Sequence, residues 1–73
     1  MDYPNITPFE ALNYFHNNKT DILEKDGFTI KLIESDEYEN YVYPVAESDE
    51  GHVYYPEGEE GCTIDKNTSW FEV

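Results

Sequence analysis

Carboxylates dominate the residues here that can do chemistry: 17 Asp and Glu stand against four Lys and no Arg. Most fall in three clusters, Glu34/Asp36/Glu37/Glu39, Glu47/Asp49/Glu50 and Glu57/Glu59/Glu60. Closely spaced carboxylates can hold calcium, exchange protons or attract a cationic surface, and their spacing decides among these. An EF-hand loop needs Asp-x-Asp/Asn-x-Asp/Asn-Gly with a Glu at its twelfth position. Neither Glu47-Ser48-Asp49-Glu50-Gly51 nor Glu57-Gly58-Glu59-Glu60-Gly61 supplies it, which leaves only weak, nonspecific cation binding. Acid/base catalysis needs a pocket that drives two carboxyl pKa values apart, and acids on turns in water have none.

The other chemistry-bearing residues are sparse. His16, His52 and Cys62 are separated by 36 and 10 residues and form no local ligand pair. His16 reads as a solvent-facing residue at a helix end and Cys62 as a small loop or buried thiol. There is no Gly-rich phosphate loop and no nucleophile elbow. The expectation is a protein without catalytic residues, metal or cofactor, working through electrostatic recognition.

The charge is unevenly distributed. Residues 1 to 33 hold five acids and three lysines, a net of −2, whereas residues 34 to 73 hold 12 acids against Lys66 alone, a net of −11. The total of −13 exceeds the magnitude of roughly 2 to 8 that keeps a small domain soluble. Carboxylates are ionised at neutral pH and repel one another in a compact state, so a role in binding accounts for them better than solubility does.

The elements that position these acids are legible in part. At 73 residues the chain makes one domain, and 16% aromatic residues is too much ring surface for a disordered acidic tail. Thr7-Pro8-Phe9-Glu10 combines an N-cap, a proline at the first helical position and the glutamate of a capping box. It predicts a helix of about 11 residues from Pro8, with Phe9, Leu12 and Phe15/His16 on one stripe and Asn17-Asn18 as the stop. In Phe28 to Ile33 the apolar residues Phe28, Ile30 and Leu32 alternate onto one strand face. Asp21 to Glu24 pairs with it across Lys25-Asp26-Gly27. Tyr38 to Val45 and His52 to Tyr55 predict two more strands, and Ser69 to Val73 either adds a short strand or folds its rings over an open side of the core. Pro44 and Pro56 mark strand ends or edges. The fold class is α+β, one N-terminal helix packed on a small antiparallel meander of three to five strands. Such a meander carries the three acidic clusters at its turns, the first and third at one end and the second about 20 Å away at the other.

In size, acidity and lack of catalytic motif, the whole chain resembles the small DNA-mimic proteins that bacteriophages make against host nucleic-acid-binding proteins. Among these it is most similar to the type that occupies the histone-like nucleoid protein HU. The resemblance rests on composition and charge clustering rather than on a sequence motif. It implies a host-takeover inhibitor that occludes a basic DNA-binding surface without itself binding nucleic acid, often as a dimer. A more local stretch, Val53-Tyr54-Tyr55-Pro56-Glu57-Gly58-Glu59-Glu60, is similar to the Tyr-Tyr-Pro segment of colicin DNase immunity proteins. Those proteins are all helical, unlike Phe28 to Ile33 here, but the resemblance implies a recognition chemistry in which tyrosines and neighbouring carboxylates bind a nuclease.

Together these readings give Glu34, Asp36, Glu37, Glu39, Glu47, Asp49, Glu50, Tyr54, Glu57, Glu59 and Glu60 as the partner-binding set. The expected partner is a basic DNA-binding protein, HU-like in the first instance, and a basic nuclease or polymerase subunit in the second. Of the tyrosines at 38, 41, 43, 54 and 55, about half are expected under the helix; the rest are strand formers or contacts for a partner or a second copy, which makes a homodimer an expectation too. The single Cys62, the lack of a secretion signal and the lack of a ~20-residue apolar run predict a place in the bacterial host's cytoplasm, away from membranes.

Overall fold

The computed structural model describes residues 3–36, 41–57 and 64–72. Helix α1 spans Pro8–Asn18, as the capping box predicts. The Thr7 hydroxyl accepts from the Glu10 amide at 3.1 Å, and the Glu10 carboxylate accepts from the Thr7 amide at 3.0 Å. Two of the donors that a helix start leaves unpaired are thereby satisfied. The helix stops where Lys19 turns left-handed at φ 52° and its amide bonds the Phe15 carbonyl. Its buried residues are Pro8, Ala11 and Phe15, so the stripe facing the core is centred on small Ala11 while Phe9 and Leu12 flank it half-buried.

Five strands follow: β1 (Ile22–Lys25), β2 (Phe28–Glu34), β3 (Val42–Ser48), β4 (Val53–Pro56) and β5 (Trp70–Glu72). They form one antiparallel meander in the order β1-β2-β3-β4-β5. The first hairpin closes over two residues, Asp26 and Gly27, both at positive φ (52° and 84°), with Lys25 opposite Phe28. This is the backbone a two-residue hairpin demands and the reason Asp-Gly suits it.

Packing assigns the faces. Ala11 and Phe15 of the helix bury Ile30, Ala46, Tyr54 and Trp70, with Ile6, Leu23, Phe28 and Leu32 at the margin. The Trp70 indole N–H donates to the Ile6 carbonyl at 2.7 Å, which fastens the segment before the helix to the last strand.

The third strand differs from the expected Tyr38 to Val45. It runs from Val42 to Ser48 because its partner β2 pairs it over seven positions, from Phe28 opposite Ser48 to Glu34 opposite Val42. Residues 38–40 lie outside the described residues. Pro44 therefore sits mid-strand and buried rather than at an end. The β3–β4 ladder covers only Ala46 opposite Tyr54 and Glu47 opposite Val53. At Pro44, β3 is thus paired on the β2 side alone, an edge-like setting that tolerates a residue without an N–H. Pro56 ends β4, as expected. No described helix is long and apolar enough to cross a membrane.

Candidate functional site: two acidic ends of a sheet

The meander sends its first and third turns to one end and the others to the opposite end. At the first end, the Asp49 amide donates to the Gly27 carbonyl at 3.0 Å, which ties the two turns together. The Ser48 hydroxyl accepts from the amides of Glu50 (3.2 Å) and His52 (3.0 Å) and shapes the turn that carries Asp49 and Glu50. The result is an open groove of about 450 Å³ lined by Asp26, Asp49, Glu50 and Glu72 around Phe28, with His52 at its side. His52 Nδ1 lies 2.5 Å from a Glu72 carboxylate oxygen, and its Nε2 is 3.9 Å from Glu50.

At the opposite end, Glu34 closes β2, Asp36 follows it, and Glu57 follows β4. The Ser35 amide bonds the Tyr41 carbonyl (2.9 Å) and the Glu57 amide bonds the Ser69 carbonyl (2.8 Å), so both acidic stretches are anchored to the sheet. Asp65 is engaged locally, its carboxylate accepting from the Asn67 amide at 2.8 Å.

The expected sites thus divide. Glu34, Asp36 and Glu57 share one end; Asp49 and Glu50 share the other; all five are exposed. Glu37, Glu39, Glu59 and Glu60 lie outside the described residues, as does Cys62. Glu47 is on strand β3 rather than on a turn, and its side chain points to the sheet face opposite the helix. Among the described residues the only ion-pair contacts of any carboxylate are those of Glu50 and Glu72 with His52, at the first end; Asp26, Asp49, Glu34, Asp36 and Glu57 have none. No group of three or more His, Cys, Asp or Glu is arranged to hold a metal ion among those residues. His16 is exposed in the last helical turn, as its position suggests.

Tyr54 requires a correction. It was expected to contact a partner, but it is only 2% exposed and belongs to the core. Its ring packs edge-on against Tyr3 and Phe28 at 5.4 and 5.7 Å. Strand alternation explains this, since Ala46 lies opposite Tyr54 and fixes that side of β4 beneath the helix. The local likeness to the Tyr-Tyr-Pro segment of immunity proteins stops at the sequence, because here the segment is a strand with one of its tyrosines buried.

Two further members of the first end, Asp26 and Glu72, lie far from Asp49 in the chain and stand outside the acidic clusters of the sequence. The Asp-Gly hairpin was the available signal for Asp26, since a meander returns the third turn beside the first. The tyrosines expected outside the core form a continuous row on the open face: Tyr41–Tyr43, Tyr43–Tyr55 and Tyr55–Phe71 have centroids 6.2, 6.3 and 6.4 Å apart. The period-2 spacing of Tyr41, Tyr43, Tyr55 and its neighbours was the signal there.

No protein family, curated protein or solved structure matches the chain.

Proposed function

We propose that this protein is a non-catalytic inhibitor that imitates DNA and occupies the basic DNA-binding surface of a nucleic-acid-binding protein, with an HU-like nucleoid protein as the first candidate. The observation that carries the reading is the pair of exposed acidic ends on one small sheet, where among the described residues only Glu50 and Glu72 have an ion-pair contact, both with His52. Strand β3 separates them by about 20 Å, at ~3.3 Å per residue. The molecule is 31 Å long, and duplex of that length carries about 18 phosphate charges. A net charge of −13 comes within a factor of about 1.5 of that density. A groove built to meet phosphates on both sides would meet carboxylates at comparable spacing here, and charge complementarity would speed encounter and select the partner.

The second reading, a module for another basic protein such as a nuclease or polymerase subunit, relied on Tyr54 and Tyr55 acting together. Burial of Tyr54 removes half of that pair and favours the charge-based reading. The two ends can be tested separately. Replacing Glu34, Asp36 and Glu57 by their amides in one variant, and Asp49 and Glu50 in another, should each weaken binding to the basic partner in part, and both together more strongly. Loss of all binding from one end alone, with none from the other, contradicts a two-ended mimic.

A further inference from the structure

A cavity of about 600 Å³ opens between the segment before the helix and the last strand. Tyr3, Ile6 and Trp70 give it apolar and aromatic walls, and Glu10 and Glu57 add two carboxylates. None of the described residues lining it is basic. It lies at the acidic end that carries Glu57, since Trp70 pairs with Pro56 and the Glu57 amide bonds the Ser69 carbonyl.

Its walls are held in place from within. The Trp70 indole N–H donates to the Ile6 carbonyl at 2.7 Å, and the Tyr3 ring packs edge-on against buried Tyr54 at 5.4 Å. The Thr7 amide holds one carboxylate oxygen of Glu10. Among the described residues neither Glu10 nor Glu57 has an ion-pair partner. A site whose groups are already ordered binds without the cost of ordering them. The start of α1 borders the cavity but does not make it an anion site. Pro8 has no N–H, the Glu10 amide is already bonded to the Thr7 hydroxyl, and an anion would meet both carboxylates and a net charge of −13.

We infer that this cavity is the anchor for one arginine side chain of a basic protein partner. Arginine suits both parts of the lining. Its planar guanidinium stacks on aromatic rings and donates several N–H groups to carboxylates, while its methylene stem covers apolar surface. The volume falls within the roughly 300–1,000 Å³ of small-ligand sites, which accommodates the side chain and the backbone on either side of it. The inference rests on this end being a surface for a basic partner, and adds to the diffuse charge one contact specific to a residue type.

A blocked Gly-Arg-Gly peptide tests it with no DNA-binding protein present, so the outcome is separate from that of competition with DNA. Trp70 is the single tryptophan, and its indole N–H signal in a proton–nitrogen NMR spectrum reports on the cavity wall. Titration is expected to shift that signal to saturation with a Kd on the order of 1 mM. The lysine peptide should bind several-fold more weakly, and the citrulline peptide, nearly the same shape without the charge, should produce no saturable shift. Glu10→Gln combined with Glu57→Gln should weaken the arginine peptide roughly fivefold, the effect of two exposed ion pairs; Gln at position 10 keeps the capping box. Asp49→Asn with Glu50→Asn, at the opposite end, should leave the affinity nearly unchanged. Citrulline or lysine binding as tightly as arginine, or equal weakening by the two double variants, overturns the inference.

Discussion

Tyr54 and Tyr55, neighbours in the chain, occupy opposite faces of the sheet. Tyr54 is in the core beneath the helix, while Tyr55 stands in the ring row between Tyr43 and Phe71. The two should respond differently to truncation. Tyr54→Ala removes a buried ring and is expected to cost about 3–5 kcal/mol, a large part of the few kcal/mol of stability a domain this small holds. Tyr55→Ala should cost less than half as much in the monomer. Urea unfolding followed by circular dichroism measures both, and equal losses would contradict the face assignment.

The bond from the Trp70 indole to the Ile6 carbonyl joins the two ends of the described chain. Trp70→Phe keeps most of the ring but leaves that partly buried carbonyl without its donor, at an expected cost of about 1–3 kcal/mol. Amide exchange should then rise at Tyr3 to Thr7 more than in β2 and β3, a pattern that a general loss of packing would not produce.

At the helix start, Thr7→Ala removes the acceptor for the Glu10 amide and is expected to lower stability by about 1 kcal/mol. Thr7→Ser, which keeps the hydroxyl, should lose little. A similar loss in both variants would show that the cap is not the cause.

The first hairpin depends on Gly27 at φ 84°. Gly27→Val places a β-branched residue where side chains are strained and also crowds Asp49, whose carboxylate lies 3.4 Å from a Cβ at that position. Stability should fall by about 1–3 kcal/mol, and the acidic end shared by Asp26 and Asp49 should lose partner affinity with it. Gly27→Ala should lose less of both.

The helix, the first hairpin and the α+β class were readable because each is signalled locally. Thr7-Pro8-Phe9-Glu10 contains its own cap, and Asp26-Gly27 its own turn. The third strand was misplaced because tyrosines favour strands without saying where pairing begins. Its limits come from seven cross-strand partners on β2, which adjacent residues do not reveal. Tyr54 was misassigned for the same reason: a Tyr-Tyr pair alternates whichever face is buried, and only Ala46 opposite it resolves the choice. The acidic ends were legible as clusters, but Asp26 and Glu72 join Asp49 and Glu50 only once the sheet is folded.

Competition with DNA is read out by displacement of fluorescent duplex from an HU-like protein. The protein is expected to release the duplex at low salt, near equivalence with the basic protein, and progressively less as salt rises. Duplex that stays bound at low salt in the presence of excess inhibitor, across HU-like and other basic DNA-binding proteins, would show that the protein does not imitate DNA.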